Sequence, residues 1–241
     1  MSAALLTLDG VHTHIGHYHI LHGVDLEVAA GGITVLLGRN GAGKTTTLRT
    51  VMGLWRASAG RLTLGGRDIG RLSTPEIARE GIGYVPEDMG IFGGLTVAEN
   101  MEVASRAGPM DEGRLAWIFD IFPALKKFWS TPAGALSGGQ KQMLAIARAL
   151  IEPRKLILID EPTKGLAPAI IQHMIEAFRA LKRAETTVLL VEQNFNFARA
   201  LGDRVAVMDD GKVVYRGEMA ALAADEALQH RLLGLSLDSH Q

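Results

Sequence analysis

The octapeptide GRNGAGKT, Gly38 to Thr45, directly follows the apolar run Ile33–Leu37 and directly precedes a stretch with Leu48, Val51 and Met52 on one helical face. Few local features restrict a fold so tightly. The octapeptide fits G-x-x-x-x-G-K-[ST], in which strand, glycine-rich turn and helix succeed one another without spare residues. Successive backbone N–H groups in such a turn form a nest for phosphate, and the positive end of the helix dipole adds to it. Gly38, Arg39, Asn40, Gly41, Ala42 and Gly43 would wrap the phosphate, with Lys44 as a point charge on its β and γ groups. The Thr45 hydroxyl would ligate Mg²⁺, and Thr46 extends the contacting run. The bland alternative is an ordinary glycine turn before a helix, and the preceding apolar strand tells against it.

A second polar element sits at another strand end. KLILIDEP, residues 155–162, closes an apolar run on Asp160-Glu161. A doubly wound sheet brings such carboxylates to the carboxyl edge of its strands, beside the phosphate loop. Asp160 could then hold Mg²⁺, directly or through water, and Glu161 could polarise an attacking water. Alone, the pair would read equally well as a solvated strand end before Pro162.

ALSGGQKQMLAIARAL, residues 135–150, poses a different question. Ser137 and Gln140 form the Ser-x-x-Gln capping box at a helix start. Gly138 and Gly139 leave the first N–H groups uncovered, which attracts phosphate. Met143, Ile146, Ala147 and Leu150 mark the buried face of the helix beyond them. The helix body thus reads as core, and its N-terminus as a second phosphate site.

The remaining pattern is coarse but consistent. Short strands are expected at 4–8, 24–28, 82–85, 156–159 and 187–191, and helices at 75–80 and from Ile171 to Leu181. Hairpins turn at Gly65-Gly66 and Asp210-Gly211. Alternating strands and helices argue for a mostly parallel α/β core. The largely helical segment 88–150 argues for a second lobe. With 241 residues, 47% of them hydrophobic, the chain can bury a large core. Its 25 basic and 26 acidic residues give no overall attraction to nucleic acid. Cysteine is absent, so thiol chemistry is excluded. MSAALLTLDG has neither a basic n-region nor a long apolar stretch, so no secretory leader is expected. No apolar run reaches the roughly 20 residues of a membrane span.

The phosphate loop, LSGGQ and LILIDEP, in this order and spacing, resemble the nucleotide-binding subunit of ABC transporters over essentially the whole chain. The resemblance implies a single ATPase domain over 1–241: an α/β P-loop NTPase core with a mostly parallel sheet, an N-terminal antiparallel β subdomain and an inserted helical subdomain. Core and β subdomain would occupy 1–87 and 151–241, and the helical part 88–150. The implied ligands are ATP and Mg²⁺. Two subunits, identical or paralogous, would face head to tail, with Ser137, Gly138, Gly139 and Gln140 closing over the partner's ATP. A permease helix would dock near Asp88–Thr96, a solute-binding protein would act indirectly, and the chain would lie on the cytoplasmic face of the inner membrane.

VPE, GLAP and LLVEQN narrow the resemblance to the ATPases of branched-chain amino acid importers and their urea or short-amide relatives. Three positions depart from the wider pattern. Glu87 stands where a glutamine is usual, and remains an oxygen ligand for Mg²⁺ that senses the γ-phosphate with a charge. Gln193 replaces a switch histidine and can donate to the γ-phosphate without becoming cationic. Ala167 replaces an aspartate. Ile15, before Gly16, holds the place of an adenine-stacking tyrosine, for which His14 or Tyr18 could substitute. On this reading the catalytic residues are Glu161, Gln193 and Lys44, and the metal ligands Thr45, Glu87 and Asp160.

Two features tempt. His12, His14, His17, His19 and His22 crowd one stretch without a well-spaced acidic or cysteine partner, and read as partly exposed strand and loop rather than a metal site. Lys126-Lys127-Phe128-Trp129 reads as a loop with an amphipathic edge rather than a nucleic-acid platform. The rival readings are a soluble ABC-type ATPase serving, for example, cofactor assembly, and a P-loop kinase or GTPase, which leaves LSGGQ unexplained.

Overall fold

The structure, a computed structural model, describes residues 4–106 and 108–234. In chain order its elements begin with β1 (Ala4–Ile15), β2 (Tyr18–Ala29), β3 (Ile33–Gly38), α1 (Lys44–Val51), β4 (Ala57–Leu64), β5 (Arg67–Asp68), α2 (Thr74–Arg79) and β6 (Ile82–Val85). Four helices come next: α3 (Val97–Ala104), α4 (Glu112–Ile121), α5 (Pro123–Lys127) and α6 (Gly138–Leu150). The chain then runs through β7 (Leu156–Asp160), α7 (Pro168–Arg183), β8 (Val188–Glu192), α8 (Phe195–Leu201), β9 (Arg204–Asp209), β10 (Lys212–Glu218), α9 (Met219–Ala224) and α10 (Glu226–Leu233).

Six strands form one sheet in the order β10-β9-β3-β8-β7-β6, parallel except for β10. Every residue of β3, β7 and β8 is buried, as continuous apolar runs covered on both faces must be. Their side chains alternate between two cores. Val35, Ile159 and Leu190 point into the one beneath α6, α7 and α8, while Leu36, Leu158 and Leu189 point into the one beneath β1, β2 and α1. A second, antiparallel sheet has the order β2-β1-β4-β5 and covers that second face.

β1 and β2 are far longer than the expected 4–8 and 24–28. Gly10 adopts a left-handed φ of 56°, and the pairing shifts register between Leu8 and Val11, so a bulge breaks the alternation that marks a strand in sequence. The histidine-rich stretch is therefore a hairpin turning at Gly16. His12 faces His22 and His14 faces His19 across it, with the His14 and His19 rings stacked 4.1 Å apart. Among the described residues, no three His, Asp or Glu side chains are placed to hold a metal ion, and no helix is long and apolar enough to cross a membrane.

Candidate nucleotide site

Parallel pairing decides which residues meet. Leu37 aligns with Glu192, Asp160 with Val191, and Val85 with Ile159, so β3, β6, β7 and β8 all end along one edge. The chain leaving these strands delivers the phosphate loop, Glu87, Glu161 and Gln193 to that edge. Asn40, Lys44, Thr45, Glu87, Glu161 and Lys164 line one open cleft there of about 360 Å³, with Ile20 of β2 at its wall.

The turn needs its glycines for space as well as freedom. A Cβ on Gly38 would run into the Met208 carbonyl. Gly43 caps α1 at a left-handed φ of 104°, where a Cβ would lie 3.0 Å from Leu21 and 3.1 Å from Met208. The loop is braced from outside, because Gly211 N donates to Ala42 O at 3.0 Å and His22 N to Gly211 O at 2.9 Å.

Lys44 is only 4% exposed, so its charge must be met locally. Its Nζ donates to the carbonyls of Gly38 (2.9 Å) and Arg39 (3.1 Å) and pairs with Glu161 Oε1 at 3.2 Å. Gln193 Nε2 donates to the same Glu161 oxygen at 2.6 Å and to Asn40 Oδ1. Lys44 and Gln193 thus both meet Glu161. Glu161 has a φ of 45°, a region costly for a residue other than glycine, and its N–H donates to Val191 O at 2.9 Å.

Asp160 is fully buried, and its Oδ1 accepts from the Thr45 hydroxyl at 3.2 Å. Its Oδ2 is buried without a partner. Burial pushes the Asp160 carboxyl up to about 6. The Thr45 hydrogen bond opposes that shift, and the charges of Glu161 and Glu87 reinforce it. A partnerless carboxylate oxygen beside a threonine hydroxyl is a hard-oxygen donor set suited to Mg²⁺, so the residues present fit that ion. Glu87, half exposed at the mouth, is ion-paired with Lys164.

Ser137 caps α6 in the expected box: Gln140 N donates to Ser137 Oγ at 3.3 Å, and Ser137 N to Gln140 Oε1 at 2.9 Å. Gly138 is exposed, whereas Gly139 is packed so closely that a Cβ would lie 2.6 Å from Ile170 Cγ2. None of Ser137 to Gln140 lines the cleft holding the phosphate loop. Ala167 is the N-cap of α7, ahead of Pro168. His14 is taken up by the stack with His19 and by a hydrogen bond to Ser58 at 3.0 Å, and Tyr18 is 76% exposed.

Three participants escaped sequence reasoning. Thr163 donates to Glu192 through its hydroxyl (2.7 Å) and its N–H (3.2 Å), and Glu192 also accepts from the N–H groups of Gln193 and Asn194 at 3.0 Å each. Burial raises the Glu192 carboxyl despite these bonds. Lys164 is the third, and the unusual charge at Glu87 was the available hint that a cation must stand nearby.

A phosphate loop, a buried acidic strand end and a second carboxylate directly after it, at one parallel-sheet edge, define a P-loop nucleoside triphosphatase. The family model "ABC transporter" matches residues 21–164. The chain belongs to that family, and its activity is ATP hydrolysis. It is 40% identical over 232 residues to the high-affinity branched-chain amino acid transport ATP-binding protein BraG of Pseudomonas aeruginosa, covering 95% of this chain and all of that one. It is 34% identical to a probable branched-chain amino acid transport ATP-binding protein, LivF, of Archaeoglobus fulgidus, covering 90% of this chain and 93% of that one. Among solved structures, it superimposes on the ADP conformation of an ATP-binding cassette of an ABC transporter with a TM-score of 0.80 and 26% identity, covering 97% of this chain and all of that one. A dimeric cassette in a post-hydrolysis state bound to ADP and Pi matches with a TM-score of 0.78 and 26% identity, covering 89% and 98%.

Proposed function

We propose that the chain is the ATP-hydrolysing subunit of an importer for branched-chain amino acids or related small solutes, seated on the cytoplasmic face of the inner membrane against separate permease subunits. The observation that carries the ATPase chemistry is Asp160 Oδ2, buried and partnerless beside Thr45 at the foot of the phosphate loop. The solute class rests on likeness to BraG and LivF along nearly the whole chain.

In this reading Thr45, Asp160 and Glu87 would hold Mg²⁺, which when bound would offset the charge of the phosphates. The backbone of Gly38 to Gly43 and the side chain of Lys44 orient the triphosphate. Lys44 exchanges its bonds to the Gly38 and Arg39 carbonyls for phosphate oxygens. Glu161, freed from Lys44, accepts the proton of the attacking water, and Gln193 holds that carboxylate in place. Residues 88–150 form the helical part of one ATPase domain whose core is 1–87 and 151–241. The start of α6, Ser137 to Gln140, with Ser137 and Gly138 exposed, closes over the nucleotide of a second ATPase subunit, identical or paralogous. The segment Asp88–Thr96, where Phe92 stands 47% exposed, receives the permease, and the solute-binding protein acts through that permease.

The test joins chemistry to location. The purified chain should hydrolyse ATP only with Mg²⁺, and affinity isolation of the tagged chain from membranes should recover an integral membrane protein. Mg²⁺-dependent hydrolysis with recovery from the soluble fraction alone would overturn the transport reading and leave a non-transport ATPase.

A further inference from the structure

The charges of the cleft are matched while it holds no anion. Glu87 and Glu161 line it together with Lys44 and Lys164, and the buried Asp160 beneath them feels the charge of Arg49, so an incoming triphosphate brings negative charge that nothing there already offsets. Lys44 is engaged by Glu161 and two backbone carbonyls, and Lys164 lies across the mouth on Glu87. Lys164 is held there from its own side as well, because its N–H donates to Glu161 O at 3.1 Å and Leu166 N donates to Thr163 O at 3.1 Å, closing the turn after β7. Glu87 lies just past Val85, the last residue of β6, and Met89 N donates to Pro86 O at 2.9 Å. The ion pair therefore bridges two loops that leave neighbouring strands of the same sheet edge.

We infer that Lys164 is a positioning residue of the ATPase: it is the counter-ion that keeps Glu87 from repelling the incoming phosphates, and it yields Glu87 to Mg²⁺ when the metal nucleotide seats. The inference rests on the reading of this cleft as the MgATP site. Its physical content is one positive charge at the mouth, which must act with opposite sign on anions and cations. Removing that charge weakens binding of metal-free nucleotide and strengthens the pull of the cleft on Mg²⁺. A lysine that served only to shape the loop would shift both in the same direction. The pair is half exposed, so its expected effect is that of an ordinary surface ion pair, about threefold in an equilibrium constant.

The experiment uses the full chain and equilibrium titration with a fluorescent ATP analogue, first in EDTA and then across a series of free Mg²⁺ concentrations. Lys164→Met should bind the analogue about threefold more weakly in EDTA, and should need about threefold less Mg²⁺ for half of the metal-induced gain in affinity. Lys164→Arg should behave as wild type. Glu87→Gln should abolish the difference between lysine and methionine at 164 in the Mg²⁺ series, because the carboxylate that Lys164 holds is gone, while the difference in EDTA persists because the lysine charge still acts on the phosphates. Unchanged binding in Lys164→Met, a parallel loss in both arms, or a methionine effect on the Mg²⁺ requirement that persists in the Glu87→Gln background would each overturn the inference. Wild-type protein that binds no analogue under any condition would instead overturn the reading of the cleft itself.

Discussion

Replacing Asp160 with asparagine should stabilise the nucleotide-free protein while disabling it. Burial is the main cause of the raised carboxyl, and the gap between about 6 and the ordinary 3.8 corresponds to about 3 kcal/mol of penalty once the group is ionised. Asparagine keeps an acceptor for the Thr45 hydroxyl, and its amide nitrogen replaces an oxygen that already lacks a partner. Relaxation around the charge makes the full figure an upper bound, so a gain of about 1–3 kcal/mol is expected, at about 2–4 °C of melting temperature per kcal/mol for a chain of this size. The proton sets the sign. The folded carboxyl holds its proton more tightly than the unfolded one, so the penalty is absent below about 4, grows as pH rises towards about 6, and is complete above it. Thermal unfolding in EDTA should therefore show Asp160→Asn melting above wild type at pH 8, with the gap closing near pH 4. MgATP should raise the wild-type melting temperature at pH 8 and leave the variant nearly unmoved. A variant no more stable than wild type at pH 8, or a gap that does not depend on pH, would refute the reasoning.

Glu161→Gln should retain ATP binding and lose turnover by on the order of a hundredfold to ten-thousandfold, with a nucleotide-trapped dimer visible by size-exclusion chromatography; turnover at the wild-type rate would remove Glu161 from the chemistry. Because Gln193 does not titrate, Gln193→His should add a limb to the ATPase pH profile near the reference value of about 6.5, and a wild-type limb abolished by Gln193→Ala would contradict that assignment. Ser137→Arg and Lys44→Ala should each be nearly inactive alone. Mixed, they should regain part of the activity with a bell-shaped dependence on their ratio, since one composite site then pairs an intact phosphate loop with an intact Ser137. Self-association without rescue would count against action of Ser137 across the interface.

Legibility in the sequence depended on whether the signal was local. The buried strands before Gly38, Asp160 and Glu192 are apolar runs of strand length, and the cap of α6 is written in four consecutive residues, Ser137 to Gln140. Parallel pairing then brings Lys44, Thr45, Asp160 and Glu161 together, as strand-end logic anticipates. The lengths of β1 and β2 stayed hidden because a bulge at a left-handed Gly10 breaks the alternation and histidines crowd the two strands around the hairpin turn. Partnerships across 29 to 153 positions, such as Thr163 with Glu192, Lys164 with Glu87 and Gln193 with Asn40, leave no spacing signature and arise only when the sheet is assembled.

The left-handed backbone at Glu161 bears on how such a chain changes when copied. Glycine sits most easily at φ 45°, so glutamate there costs about 1–3 kcal/mol of backbone strain, against which stands its ion pair with the buried Lys44. A duplicate relieved of hydrolysis would gain by moving to Gly at 161 only once Lys44 had also lost its charge, because a buried lysine stripped of its carboxylate costs more than the strain relieved. Inert copies of this subunit should thus be recognisable by losing Glu161 and Lys44 together, and Glu161→Gly should melt higher than Glu161→Gln only in a Lys44→Met background. The strained peptide and the buried lysine are tied to one another, and neither can be lost singly without cost.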